Sequence, residues 1–384
     1  LLIINARIYT IENGIIENGW LETNDDRIRA FGKMQDSPQT AGESLDAKGG
    51  ILMPGLIDAH THLGMWEDGL GFEGDDGNEE TDPSTPHLSA LDAINPLDRC
   101  FEEALSAGVT TVVTGPGSAN PIGGQLVAIK TYGKRIDDMV IKNPIAIKFA
   151  LGENPKMSYH AKNETPVTRM GTAAIIREQL YKAQKYMQKL EDAVLDDELE
   201  EPEFDYKCEA LIPLLKREIQ AHFHAHRADD IFTAIRIGKE FSLDYAIIHC
   251  TEGHLIAEEL LKDNVKIFSG PYLCDRCKPE LRNQTPQTAG LLSAAGIEPA
   301  IITDHPVVPA QYLTLCAALA VKHGLGYEAA LRAITIIPAK LLGLDKDLGS
   351  LVPGKIADLV LFDGDPLSLM TNVIFVVVGG RRVK

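Results

Sequence analysis

Short apolar runs alternate with stretches of helical spacing through the middle of this chain, and no other feature restricts its fold as sharply. The runs fall at 51–57, 109–114, 145–151, 219–223, 245–248, 265–268 and 300–303, with helical patterns between them at 96–107, 228–240 and 254–262. Continuous apolar runs of this length read as buried strands. Strand–helix alternation over about 300 residues predicts a parallel α/β barrel, whose active site lies at the C-terminal ends of its strands. An open doubly wound sheet is the rival, but no Gly-x-Gly-x-x-Gly follows an early strand.

Both ends of the chain have a different texture. Residues 1–9 and 27–31 read as strands around the turn Asn13-Gly14, and 354–362 and 373–378 repeat the style around Asp363-Gly364. Two β-rich ends flanking a long middle predict one small β domain built from both termini, with boundaries at 1–50, 51–344 and 345–384. The segment 177–201 is strongly charged, with Leu180, Tyr181, Met187, Leu190 and Val194 near helical spacing. It is expected to form a long exposed helix and loop at the barrel mouth.

Composition excludes several function classes. A chain of 384 residues that is 45% hydrophobic can bury a large core plus a smaller module. A formal net charge of −18 argues against binding a phosphate backbone, so no nucleic-acid partner is expected. No apolar stretch is long enough to span a bilayer, which predicts no membrane partner. With no signal peptide visible, although the chain begins at Leu1 without a methionine, a cytoplasmic location is expected. Exposed β edges in the terminal domain would suit a homo-oligomer. Six cysteines are scattered, and only Cys274-Asp275-Arg276-Cys277 has metal or redox spacing; a second pair of that kind is missing, and ordinary free thiols are expected.

The chemistry gathers at the ends of the apolar runs. Gly55-Leu56-Ile57-Asp58-Ala59-His60-Thr61-His62 places two imidazoles two residues apart, and in a strand residues i and i+2 share a face. Two neutral imidazoles converging on one point make half of a site for a borderline ion such as zinc. His222, His224 and His226 alternate after Ile219, His249 ends 245–248, and Asp304 ends 300–303. The run at 145–151 brings both Lys148 and Glu153 to its end. One strand-end histidine is usually scaffolding, and one strand-end aspartate often caps the next helix. Five strands ending in ligand types are harder to dismiss, because a barrel would gather them on one face.

In these residues the chain resembles the metal-dependent amidohydrolase superfamily, particularly its imidazolonepropionase-like and prolidase-like members. The resemblance rests on residues 53–62, on His224, His249 and Asp304 in order, and on the closing motif at 349–358, and it covers nearly the whole chain. It implies a distorted (β/α)8 TIM barrel with a small β-sandwich domain formed from both termini, and one or two divalent metals, zinc by preference. On this resemblance His60, His62 and Asp304 would hold the first metal and His224 and His249 the second. His226 would stand further out, as a substrate contact, beside Arg227, which could meet a substrate carboxylate. The bridging ligand is either a carboxylated Lys148 or Glu153. Glu153 is preferred here, because it needs no added CO2 and its short arm suits a position at the rim.

The implied activity is hydrolysis of an amide-type C–N bond in a small-molecule substrate: a cyclic amide, an N-acyl compound or a dipeptide-like molecule. Asp304 would act as general base and then general acid. A mononuclear deaminase of a heterocycle is the alternative, and a non-catalytic scaffold would be expected to have lost ligands that this chain retains. Among the remaining residues, Tyr159 and His160 are candidates to line the pocket, His305 to support Asp304, and His254 to cap a helix. Trp66 is assigned equally to a mobile active-site loop or to plain surface.

Overall fold

The computed structural model describes residues 1–38 and 43–384. Two eight-stranded sheets organise them. The first draws on both chain ends: Leu2–Tyr9 lies between Ile51–Pro54 and Ile15–Asn24, and Leu359–Phe362 pairs antiparallel with Ile51–Pro54. Val373–Val378 and Arg381–Arg382 extend one edge, Arg27–Lys33 the other, and Ser44–Asp46 runs parallel to Leu2–Tyr9. Ile3, Ile8, Leu21, Leu52, Leu359 and Phe375 share one buried core, with register irregularities between Ile3 and Ile8 bringing these two residues, five apart, to the same side. The run read as one strand over 51–57 is therefore two: Ile51–Pro54 belongs to the terminal sheet, and the chain enters the barrel only after Gly55. Glycine is required there, because a Cβ would stand 2.1 Å from Thr110 Oγ1.

The second sheet is the barrel. Its strands are β1 (Leu56–Thr61), β2 (Val109–Thr114), β3 (Ile122–Lys130), β4 (Val140–Ala150), β5 (Gln220–Ala225), β6 (Tyr245–His249), β7 (Lys266–Ser269) and β8 (Ala300–Ile301). The pairs β1–β2 and β4 through β8 are parallel, whereas β3 runs antiparallel to both β2 and β4. That inversion is the distortion of the barrel, and it follows from chain length. The connections on either side of β3 are too short for a helical crossover, and only antiparallel neighbours can be joined so briefly. Residues just past β8 close the ring: Asp304 N–H donates to His60 O at 3.2 Å, and His62 N–H donates to His305 O at 2.8 Å.

The charged segment near 177 is part of one helix, Arg169–Leu195, capped by Thr168, whose hydroxyl accepts from Gly171 N–H. Ala173, Ile176, Leu180 and Ala183 recur at three- and four-residue intervals and form a stripe buried in the core outside β4 and β5. The helix packs along Tyr206–Leu215 and is anchored by that stripe, while Met170 near its start and Val194 and Leu195 at its end are largely exposed. Among the described residues no helix is long and apolar enough to cross a membrane. Leu180 is fully buried. Leu180→Ala should therefore cost roughly 2–5 kcal/mol in a urea titration followed by circular dichroism, against within about 0.5 kcal/mol for Val194→Ala.

Candidate metal centre

Every strand-end side chain that could bind a metal emerges at the face where the barrel strands end. His60 and His62 follow one another along β1 with ring centroids 5.2 Å apart. Asp304 Oδ1 lies 3.5 Å from His60 Nε2 and 3.3 Å from His62 Nε2. These three side chains form one group of potential ligands, and His224, His226 and His249 form a second. His60 and His249 connect the two, edge to face, with centroids 5.9 Å apart.

Backbone conformation aims several of these donors. His249 and Asp304 adopt φ of 72° and 55°, left-handed values unusual for residues with a Cβ, which turn their side chains out of the strand direction toward the barrel axis. Hydrogen bonds then fix the tautomers. His62 Nδ1 bonds Gly115 O at 2.6 Å and His249 Nδ1 bonds Gly270 O at 2.9 Å. A carbonyl can only accept, so both Nδ1 atoms carry hydrogen and both Nε2 lone pairs are free. His226 Nδ1 pairs with Thr251 Oγ1 at 2.7 Å. His222 sits deeper, bonded to Gln220 Oε1 and tilted against Phe268, and takes no part in either group.

Electrostatics favour ligation as well. Burial first, then neighbouring positive groups, holds His60, His224 and His226 well below the usual imidazole range, so they are neutral and able to donate lone pairs. Burial opposes ionisation of Asp304, but His249, His62 and Lys148 outweigh it and bring its carboxyl to about 2. His224 is 3% exposed, yet neither ring nitrogen has a hydrogen-bond partner, and His60 Nδ1 is similarly alone. An unpartnered buried polar atom costs about 1–3 kcal/mol, a penalty that a bound cation relieves at His224. Two imidazoles with a carboxylate, facing three imidazoles, is a donor set suited to borderline divalent ions.

The two bridging candidates stand differently. Lys148 is fully buried in β4 with Nζ 2.7 Å from His60 Nε2. Burial pulls its amine down to about 7, against the pull of Asp304 and with the help of Lys278. Glu153 opens the helix Glu153–His160, its Oε2 accepts from Glu280 N–H at 3.4 Å, and it lies outside both ligand groups. Arg227 is likewise turned away, in a two-point pair with Asp229 at 2.9 Å. Glu153 and Arg227 line a separate cavity of about 400 Å³ together with His160. Tyr159 is buried with its hydroxyl donating to Asn120 Oδ1, away from the ligand groups.

A cavity of about 720 Å³ opens over the two groups, lined among others by His62, Trp66, His224, His226, Lys278 and Asp304. Trp66 packs its edge against His62 with centroids 4.8 Å apart. Cys274 and Cys277 also face this cavity, with Cys274 Sγ accepting from Gln284 Nε2. His305 lends its carbonyl to His62 and its Nδ1 to Ala310 N–H, and His254 Nδ1 pairs with Thr288 Oγ1 at 3.2 Å. The sequence reading missed Glu280, which is almost fully buried with Oε1 3.6 Å from His226 Nε2 and 3.8 Å from His224 Nε2. It lies in a loop after β7, where neither strand periodicity nor ligand spacing marks it.

A profile of the amidohydrolase family matches residues 51–383. The amidohydrolase tasK of Hapsidospora irregularis is 30% identical over 95% of this chain, which spans 39% of that protein's length. An imidazolonepropionase of Sphingopyxis alaskensis is 24% identical over 97% of this chain and 94% of its own. An amidohydrolase from Thermotoga maritima of known structure superposes with a TM-score of 0.97 at 40% identity, covering 100% of this chain and 99% of that one. The two donor groups on one barrel face thus form the binuclear metal-binding site typical of amidohydrolases, metal-dependent hydrolases that act on C–N bonds. His224→Ala should lose about one of two equivalents of divalent metal by elemental analysis of protein purified without chelators, with its far-ultraviolet circular dichroism unchanged.

Proposed function

This chain belongs to the amidohydrolase family, and on that premise we propose that it cleaves the amide-type C–N bond of a small molecule: a cyclic amide, an N-acyl compound or a dipeptide-like substrate. The observation that carries the reading is the pair of three-donor groups meeting beneath one cavity of about 720 Å³. His60, His62 and Asp304 would hold one metal and His224 and His249 the other, with zinc the best match to imidazole and carboxylate donors. The closeness of all three imidazoles in the second group supports His226 as a further ligand in place of a purely substrate-facing role. Bound divalent ions lower the pKa of water and polarise a carbonyl oxygen.

The chain's own groups supply the remainder. Asp304, ionised at neutral pH, takes the proton of the attacking water at Oδ1 and returns it to the leaving nitrogen. The backbone bond from Asp304 N–H to His60 O at 3.2 Å keeps the residue in place through the transfer. The 2.7 Å approach of Lys148 Nζ to His60 Nε2 supports Lys148 over Glu153 as the bridging residue. In that role its amine would add CO2 to form a carbamate, releasing one proton and presenting two oxygens to the site.

Asp304→Asn should lower kcat on an amide substrate by roughly 10²–10⁴-fold, and near-normal turnover would remove Asp304 from the proton transfer. Protein equilibrated with 13C-bicarbonate should show a carbamate carbon resonance that Lys148→Ala lacks; identical spectra would return the bridging role to another residue. Screening metal-loaded protein against lactams, N-acyl amino acids and dipeptides tests the reaction class. One metal equivalent with ammonia as product would point to a heterocycle deaminase instead.

A further inference from the structure

The geometry points to Lys278 as the residue that recognises a carboxylate on the substrate, an assignment that rests on the amide-hydrolase reading above and narrows it to acidic substrates such as N-acyl amino acids. Lys278 is the one lysine or arginine among the described residues lining the large cavity. Its ammonium is held at two points: Nζ lies 2.6 Å from Glu280 Oε1 and 2.8 Å from Asn154 Oδ1. An ammonium has three N–H donors, so at least one remains for a ligand in the cavity.

Both holding groups are fixed in turn. Glu280 Oε2 accepts from Glu153 N–H at 2.9 Å, and Asn154 Nδ2 donates to Ser118 Oγ at 2.7 Å. This close approach needs Gly152, whose φ is +87° and where a Cβ would stand 2.7 Å from Glu280 Oε2. The lysine head is thus preorganised, which removes much of the entropy cost of ordering a long flexible side chain on binding. Its position suits the chemistry, because the Glu280 oxygen that holds it is itself 3.6 Å from His226 Nε2. A carboxylate a few bonds from the scissile amide would reach the ammonium while its carbonyl stood over the two donor groups.

Two arginines near the barrel mouth are engaged elsewhere. Arg227 is committed to Asp229, and Arg169 to Asp230 at 2.9 Å, both beside the smaller cavity. The Lys278 ammonium remains, 2.6 Å from Oε1 of the almost fully buried Glu280. A charge-assisted bond from that ammonium discriminates a carboxylate from a neutral amide of the same shape.

The test uses metal-loaded protein and two probes of matched shape, N-acetyl-L-alanine and N-acetyl-L-alaninamide, with binding measured by calorimetry and turnover by product release. Wild-type protein should bind the carboxylate more tightly. Lys278→Met should weaken its binding, and raise its KM, by about 10- to 100-fold more than for the carboxamide, with kcat little changed. Lys278→Arg should recover part of the loss, and metal content should stay the same in both variants. Equal losses on the two probes, or wild-type protein that binds the carboxylate no more tightly than the carboxamide, would overturn the assignment. Failure of the wider reading has a separate signature: carboxylate-selective binding that depends on Lys278, with no amide hydrolysed.

Discussion

The site depends on how the barrel closes. Asp58, buried in β1, accepts from Thr303 N–H and from the Thr303 hydroxyl across 245 positions of sequence. Next to it, His60 and His62 exchange backbone hydrogen bonds with Asp304 and His305. Three of the first group's donors therefore come from the two sides of one seam, and their spacing is fixed only when that seam forms. Burial pushes the Asp58 carboxyl up to about 7 despite the hydrogen bonds from Thr303 and His60. A carboxylate there is costly to bury, and the geometry it imposes on the first group is what the fold obtains in return.

The second group has a different foundation. His224 and His249 extend from adjacent parallel strands one register position apart, His224 opposite Ile248 and His249 opposite Ala225, and the left-handed turn at His249 brings the rings to a centroid distance of 4.5 Å. His226 lies one residue beyond β5 and stacks on His249 with nearly parallel rings, also at 4.5 Å. Strand pairing with the left-handed turn at His249 thus sets one group and long-range closure the other. Lys148 on β4 reaches from the β5 side toward His60 on β1 and spans the gap between them.

These origins explain how much could be read from the sequence. The apolar runs ending in His60, His249 and Asp304 were legible because strand periodicity and a barrel's single functional face are local and general rules. β3 was not, since Gly123-Gly124 in its first turn looks like loop sequence. The glycines are there for a tertiary reason: Gly124 has φ of +135°, and a Cβ on it would stand 2.8 Å from Leu88 O. Glu153 was attractive because it follows the strand closely, but the left-handed Gly152 starts a helix that carries its carboxylate toward Glu280. Arg227 looked available for a substrate until Asp229, two residues on in the same helical turn, was placed beside it. Lys278 and Glu280 carried no local signal, because their importance comes from Asn154 and Glu153 at the start of the distant helix Glu153–His160.

Metal binding and folding are linked by the same geometry. In the unfolded chain His60 and Asp304 are separated by most of the barrel, and no preformed set of ligands exists. In the folded chain six donor side chains are buried or nearly so, the imidazoles are held mostly neutral, and both His224 nitrogens lack partners. Such a cluster is unfavourable for the empty protein and favourable once a cation occupies it, so ligand burial transfers part of the binding free energy into closing the seam. Since Asp304 belongs both to that seam and to the proposed proton transfer, the residue that would turn over substrate also reports whether the barrel is shut. Catalytic competence therefore requires this long-range contact to be made.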